Sequence, residues 1–268
     1  MLLCLALLIL FAGPARAEIR DVVKSSDIDG MFARLTSNRP DRALHEMPNY
    51  ALWLKAHDGK PGAYETHPEA DDILVVRRGS AHITMGEPER RHEIGSGDVV
   101  RIPRNTPHQI DPGSGRLEYV VLRIFPSGEN LQARPGIRPA AGKLGDVLKK
   151  SEIDETFAKS TSNQPIHTAK NFTMNYVIYG GRSGPWEAHR GCVDIYFLQI
   201  GTATAQLGGE IQNAKEESPG EPRGTGVTGA REHQIGPGDI VLIPRNTAHH
   251  MNPATGKLGY ILVKVWVD

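Results

Sequence analysis

The chain has 268 residues, and its 31 basic and 31 acidic side chains leave no net charge at pH 7. Hydrophobic residues make up 39% of the chain, which excludes the low hydrophobicity and high net charge of a disordered protein. A pI near 7.2 also excludes a nucleic-acid-binding surface that depends on bulk positive charge.

An unbroken apolar run at residues 2–11 opens the chain and is followed by a Gly-Pro pair and by Ala-Arg-Ala, which ends at Ala17. This pattern is typical of a signal peptide, and the run is too short to span a bilayer as a helix. We expect cleavage after Ala17, and therefore a periplasmic or secreted protein without membrane contact. A membrane anchor or a buried helix is the alternative.

The remaining chain is a tandem duplication. The sequence Thr-Ser-Asn at 36–38 recurs at 161–163, and Ile-Pro-Arg-Asn-Thr at 102–106 recurs at 243–247. Repeats at such spacing indicate two copies of one structural unit. The predicted boundaries are a signal peptide at 1–17, a first domain at 18–125, a linker at 126–145 and a second domain at 146–268.

Each unit is expected to begin with a short helix and to continue as short strands. Ser26 with Asp29, and Ser151 with Asp154, have the spacing of a capping box. The later runs are β-branched or alternating and are separated by turn residues, which predicts an all-β sandwich or barrel. The insertion at 208–229 in the second unit is expected to be a loop. The predicted strand runs are 73–76, 81–85, 99–102 and 119–124, and 195–200, 203–207, 240–243 and 260–265.

Imidazole and carboxylate side chains recur at matching positions in both units. Glu65 and His67 project to one face of a strand because they are two residues apart. Asp72 returns on the next strand, and His108 follows in the later Ile-Pro segment. Two imidazoles and two carboxylates suit Mn, Fe, Ni or Zn, so we predict one divalent metal ion in each unit. The second set comprises Glu187, His189, Asp194 and His249.

These motifs resemble those of the cupin superfamily, and the duplication resembles a bicupin. The family has a His-x-His pair, an acid five residues later, and a second motif with Gly-Asp, Ile-Pro and His. The resemblance covers nearly all of residues 44–126 and 170–268. It implies two tandem cupin barrels, each a jelly roll (double-stranded β-helix) with a central metal. The second unit also resembles exported single-cupin proteins of unassigned activity, partly through Pro-Gly-Glu-x-Arg-Gly at 219–224.

The chain departs from the family at its first histidine, which is Glu65 in the first unit and Glu187 in the second. Three arrangements follow from this difference. All four side chains of a set bind the metal, or the two glutamates stay free as general acids or bases while two histidines and one aspartate bind. In the third arrangement there is no metal, and the polar groups hydrogen-bond one another.

Other polar residues carry weaker predictions. Arg123 and Lys264 share a strand face with tyrosines, so they are either cations inside the barrels or surface charges, and we expect surface charges. His250 is expected at the surface because it alternates with His249. Cys192 is expected to be a small turn residue.

These features predict an exported, metal-dependent bicupin enzyme of the dioxygenase, lyase, decarboxylase or isomerase class. It would act on a small oxygenated organic molecule, with Glu65 or Glu187 moving a proton. A sugar- or metabolite-binding protein without catalysis is the first alternative, and a structural or storage protein is the second. Both barrels are expected to hold metal, with turnover in the second barrel, which the insertion encloses. Homo-oligomerisation is left open.

Overall fold

The computed structural model describes residues 21–126, 146–254 and 256–267. The predicted signal peptide at 1–17 lies outside this part of the chain, as does the predicted linker except for its first residue. Of the two helices in the described residues, neither is long and apolar enough to cross a membrane.

Short antiparallel strands dominate both halves, and every strand run predicted from the sequence lies within an observed strand. The first half contains β1 (Val22–Val23), α1 (Ser25–Phe32), β2 (Asp41–Met47), β3 (Tyr50–Asp58), β4 (Asp71–Arg78), β5 (Ser80–Met85), β6 (Arg90–Gly95), β7 (Val99–Ile102), β8 (His108–Asp111) and β9 (Arg116–Ile124). The second half contains β10 (Val147–Leu148), α2 (Lys150–Lys159), β11 (Gln164–Thr168), β12 (Phe172–Gly180), β13 (Trp186–Glu187), β14 (Cys192–Ile200), β15 (Ala203–Leu207), β16 (Glu210–Gln212), β17 (Lys215–Ser218), β18 (Glu221–Gly224), β19 (Gly226–Thr228), β20 (Arg231–Ile235), β21 (Ile240–Ile243), β22 (His249–Pro253) and β23 (Lys257–Trp266).

Two sheets form each barrel. In the first barrel, a six-stranded sheet of order β10-β7-β4-β9-β3-β2 faces a three-stranded sheet of order β6-β5-β8. In the second, the order β1-β21-β14-β23-β12-β11 faces β17-β18-β13-β22-β15-β20. The predicted all-β fold of two tandem barrels, each with a short helix, is therefore confirmed. The insertion is not a plain loop, because it forms β16 to β19. Two of these strands, β17 and β18, extend the sheet that contains β13 and β22.

The halves exchange their first strands. β1 precedes the first helix but pairs with β21 of the second barrel, where Val22 lies opposite Val241. β10 pairs in the same way with β7 of the first barrel, where Val147 lies opposite Val100. The sequence does not predict this exchange, because a strand of two residues has no measurable periodicity.

The helices are capped across the same boundary. The capping box predicted at Ser26, like its counterpart in α2, is wrong, because no side chain at the helix start makes a cap hydrogen bond. Instead, the backbone N–H of Ser25 donates to Asp239 at 2.7 Å. The backbone N–H of Lys150 donates to Asp98 at 2.8 Å. Each barrel therefore supplies the helix cap of the other half.

Apolar residues of both halves form one shared core. The largest buried cluster draws on both helices and on one sheet of each barrel, the sheet that contains β9 in the first and the sheet that contains β23 in the second, so it connects the barrels. Each barrel has a further cluster of its own. The sheets that contain β9 and β23 are thus covered on both faces. Strands in such sheets have continuous apolar sequences rather than alternating ones, and β9 has six consecutive buried residues.

Gly79 closes the turn after β4 with φ at +85°, and a Cβ at this position would lie 2.0 Å from the carbonyl oxygen of Arg116. We expect Gly79→Ala to lower the free energy of unfolding by about 3 kcal/mol, because the backbone must move in addition to adopting an unfavourable φ. Gly113→Ala is the control, because its φ is +62° and no atom lies within 4 Å. It should lose only about 1 kcal/mol. Equal losses in denaturant unfolding would contradict the steric explanation.

Candidate metal centres

One antiparallel pairing in each barrel brings the motif glutamate beside the late histidine. In the first barrel, Glu65 and His108 exchange two backbone hydrogen bonds of 2.9 Å. In the second, Glu187 of β13 lies opposite His249 of β22. The spacing of two residues then places His67 or His189 next to this pair. The same strand pairing therefore brings together, in each barrel, a glutamate and a histidine that are far apart in the sequence.

Three donor atoms converge in the first barrel. The Oε1 of Glu65 lies 3.4 Å from the Nε2 of His67 and 3.6 Å from the Nε2 of His108. One donor atom from each of the three side chains lies within 4.8 Å of the others. Ligands bound at about 2.1 Å to one metal ion lie about 3.0 to 3.4 Å from one another, so small side-chain movements would complete this site.

The second barrel repeats the group with Glu187, His189 and His249, whose donor atoms also lie within 4.8 Å of one another. The Oε1 of Glu187 is 3.6 Å from the Nε2 of His249. Two histidines and one carboxylate are a ligand set that leaves coordination positions open, and this set is typical of non-haem iron sites. The duplication therefore extends from the fold to the chemistry of the site.

Unpaired ring nitrogens test whether these residues fit a metal. The Nε2 atoms of His67 and His249 are buried and have no hydrogen-bond partner among the described residues. The Nδ1 atoms of His108 and His249 lie 2.9 and 3.1 Å from the carbonyl oxygens of Thr106 and Thr247. Donation from Nδ1 leaves the Nε2 lone pair directed into the site. A buried acceptor without a partner is costly, so the residues fit a bound divalent metal ion.

Asp72 and Asp194, which were predicted as ligands, lie beside these groups and not within them. Both oxygens of Asp72 accept hydrogen bonds from Arg123, at 2.8 and 2.7 Å. Asp194 lies 3.7 Å from the Nζ of Lys264 and 3.4 Å from the Nε2 of His189. The structure groups glutamate with the two histidines, which differs from the predicted four-residue set and from the predicted set of two histidines and an aspartate.

Both motif glutamates are held in the ionised form. The imidazole of His108 is the main cause that lowers the pKa of Glu65 to about 2. Burial alone would raise the pKa of Glu187, but His249, His189 and Arg223 outweigh it and lower this pKa to about 2. A group with so low a pKa is poorly matched to proton transfer near pH 7, whereas an ionised carboxylate is a suitable metal ligand.

The insertion covers the second site with two charged residues that we did not predict. The carboxylate of Glu221, on β18, lies 2.5 Å from the Nδ1 of His189. A guanidinium nitrogen of Arg223 lies 3.1 Å from Glu187. The side chain of Glu187 is therefore only 17% exposed, against 44% for Glu65 in the first barrel. The predicted enclosure of the second site is confirmed, and the Pro-Gly-Glu-x-Arg-Gly sequence was the signal for both residues.

Glu221 should strengthen metal binding at the second site through His189. We expect Glu221→Gln to weaken that site about 10- to 100-fold, because a carboxylate that orients a ligating imidazole also raises its basicity. The first site should not change, because Glu221 lies on β18 of the second barrel. Competition with a chelator measures both affinities. Glu210→Gln, at an exposed position of the same insertion, is the matched control, and an equal effect of both variants would contradict this role.

A cavity of about 130 Å³ opens onto the first site. Glu65 and His108 reach it from the metal group, and Lys55, His57 and Tyr119 line its other side. The Nε2 of His57 is 3.1 Å from the hydroxyl of Tyr119. The first site is therefore open to a small molecule.

Three minor sequence predictions need correction. Arg123 and Lys264 are not surface charges, because they contact Asp72 and Asp194 beside the two sites. Cys192 is not in a turn but begins β14, where it is buried and burial raises its thiol pKa. His250 is partly buried and stacks on a tryptophan ring 4.5 Å away.

The chain is similar to known proteins in one domain sequence and in its fold. The family model for the Cupin domain matches residues 54–123, whereas no curated protein matches the chain. A "Cupin 2 conserved barrel domain protein" from Leptotrichia buccalis is 14% identical, with a TM-score of 0.57, over 84% of this chain and 88% of that one. Salicylate 1,2-dioxygenase from Pseudaminobacter salicylatoxidans is 10% identical, with a TM-score of 0.64, over 91% and 83%.

A third similar structure is a mutant of oxalate decarboxylase from Bacillus subtilis, with 13% identity and a TM-score of 0.50 over 83% of this chain and 71% of that one. At these identities the structures establish the fold, not the activity. The domain match in the first barrel and these structures together show that the chain has the cupin fold.

Proposed function

We propose that the protein is an exported metalloenzyme that binds one divalent first-row metal ion in each barrel and acts on a small oxygenated organic molecule. The observation that carries this proposal is the repeated convergence of one glutamate and two histidines, with one buried, unpartnered ring nitrogen in each group. Two independent copies of such a group are costly to maintain unless a ligand satisfies them.

The residues around each group suit a metal that also binds a substrate. When bound, such a metal supplies Lewis-acid polarisation of a coordinated oxygen or, as iron, reaction with O₂. The protein contributes three ligands and leaves other positions free. In the first barrel, His57 and Tyr119 line the cavity as a hydrogen-bonded pair that can orient an oxygenated ligand. The similar structures include a dioxygenase and a decarboxylase, two of the reaction classes predicted from the sequence.

The accessible cavity favours turnover in the first barrel. The sequence favours turnover in the enclosed second barrel, but there Glu221 contacts His189 and Arg223 contacts Glu187, which leaves Glu187 largely covered. A closed site of this kind suits a retained structural metal. We therefore propose that the second metal stabilises its barrel and that the first one meets substrate.

Elemental analysis after purification without chelators tests the proposal, with oxygen uptake and CO₂ release measured on small acids and diketones. About two equivalents of metal and turnover of at least one compound are expected. Less than one tenth of an equivalent, with none retained on soaking, would mean that the proposal is wrong. Full metal content and tight binding of a panel compound without turnover would instead favour the metabolite-binding alternative.

Export is a separate part of the proposal, and it rests on the apolar run and the Ala-Arg-Ala sequence before Glu18. Expression of the full chain in a bacterial host, followed by fractionation and N-terminal sequencing, tests it. The expected product begins at Glu18 and lies outside the cytoplasm. A chain that keeps residues 1–17 in the cytoplasmic fraction would contradict export.

A further inference from the structure

The cavity of the first barrel contains a lysine for which the proposed metal chemistry has no use. Lys55 lies on β3 directly opposite Tyr119 of β9, and both residues line the cavity with Glu65 and His108. The ammonium group of Lys55 lies 5.8 Å from the centre of the Trp53 ring. Among the described residues, no carboxylate lies within ion-pair distance of it. Asp41 of β2 lies opposite Lys55 in the strand register and lines the same cavity, so this half-buried cation has a carboxylate nearby but no ion-pair partner among the described residues.

We infer that Lys55 is an anion-binding residue and that the first site takes a small carboxylate as its ligand. This inference rests on the proposed metal site, because it assigns the substrate class of that site. The carboxylate would bind to the metal at one end of the cavity and accept a hydrogen bond from Lys55 at the other. Charge-assisted hydrogen bonds of this kind are stronger than neutral ones.

The charges around the cavity favour an anion. Arg123 and Asp72 form a bidentate pair and cancel one another. His57 is neutral near pH 7, because burial and then the charge of Lys55 lower its pKa. A divalent metal with Glu65 and Lys55 therefore leaves two net positive charges, or one when the exposed Asp41 at the cavity wall is counted.

The second barrel shows that the lysine is not required by the fold. Val177 of β12 lies opposite Tyr260 of β23, as Lys55 lies opposite Tyr119, so the two positions are equivalent. The second barrel therefore has an apolar side chain where the first has a cation. Burial of a cation is unfavourable without a function or a partner, and the substitution is confined to the barrel whose site is open.

The cavity limits the size of the ligand. Its volume of about 130 Å³ is slightly below the ~150 Å³ of an engineered cavity that holds benzene. A carboxylate with about six non-hydrogen atoms or fewer fits wholly inside this volume. Glycolate and its neutral isostere glycolamide, which have the same shape and differ in charge, are suitable probes.

Isothermal titration calorimetry on the Mn²⁺-loaded full chain, with metal content measured on the same sample, tests the inference. We expect glycolate to bind at least about tenfold more tightly than glycolamide, and Lys55→Gln to remove most of that difference. Lys55→Arg, which keeps the charge, should retain a clear preference for glycolate. Lys170→Gln, which removes an exposed lysine of the second barrel, is the matched control for net charge and should behave as wild type.

The outcomes separate the two proposals. A wild-type chain that binds no Mn²⁺ overturns the metal site, and with it this inference. A chain that binds Mn²⁺ but binds glycolate and glycolamide equally overturns the inference alone. Lys55→Gln that keeps its metal and its preference for glycolate also overturns it, because the anion would then be bound elsewhere.

Discussion

Replacing His108 with alanine should remove one equivalent of bound metal, and His249→Ala should remove the other. Each imidazole would supply one of the three proposed ligands in its barrel, and both are buried and held by a backbone carbonyl. Loss of even an outer partner of a metal ligand costs about 10- to 100-fold in affinity, so loss of a ligand should cost more than about 100-fold. The double variant should purify with almost no metal.

Elemental analysis and a chelator competition measure this result for each variant. His82→Ala is the matched control, because His82 is an exposed histidine on β5 and lies outside the metal group. We expect this variant to keep both equivalents. If His108→Ala and His249→Ala each keep two equivalents as well, the metal lies elsewhere and the two groups are only hydrogen-bonded polar clusters.

Asp72→Asn distinguishes a three-ligand site from the four-ligand site first predicted. Both oxygens of Asp72 already accept hydrogen bonds from Arg123, so we expect the variant to keep the first metal with less than about a tenfold loss of affinity. A loss as large as that of His108→Ala would show that Asp72 leaves Arg123 and binds the metal. The same chelator competition gives the answer.

The sequence was sufficient for the parts of the site that repeat. Glu65, His67 and His108 recur at matching positions in the second half, and alternation along a strand puts the first two on one face. The sequence was insufficient to place Arg123, which was expected at the surface. In a sheet that is covered on both faces, alternation does not distinguish the barrel interior from the outside, so only the cross-strand register places this residue beside Asp72.

Contacts between distant segments account for the other differences. Glu221 reaches His189 only because β18 pairs with β13, and a register between an inserted strand and the barrel is not encoded in local sequence. The sequence alone does not distinguish Lys55 from other lysines, because only the registers of both barrels show that Val177 occupies the equivalent position. The exchanged β1 and β10 are too short for any periodic signal.

Asp239→Ala should lower the free energy of unfolding by about 3 kcal/mol. The buried carboxylate accepts hydrogen bonds from the backbone N–H groups of Ser25 at 2.7 Å and Gly236 at 2.9 Å, and it also pairs with Lys24. Truncation leaves two backbone donors without a partner, each at about 1 to 3 kcal/mol, although water can satisfy part of this loss. Denaturant unfolding followed by circular dichroism measures the change.

Asp98→Ala should have a similar effect, because Asp98 accepts from Lys150 and Gly95 in the same geometry. Glu155→Gln is the control for loss of an exposed carboxylate, since its contact with Lys159 is a surface pair within one helix, and such pairs contribute little to stability. A loss in either aspartate variant no larger than that of the control would contradict the capping role.

The exchange of β1 and β10 between the barrels should also affect the shape of the unfolding curve. Asp239 belongs to the second barrel but caps a helix of the first half, and Asp98 does the reverse. The shared apolar cluster couples the barrels in addition. Each variant should therefore shift one common transition, because neither barrel keeps its sheet or its helix cap once the other unfolds. Two resolved transitions, of which Asp239→Ala moves only one, would mean that the barrels are independent despite the exchanged strands.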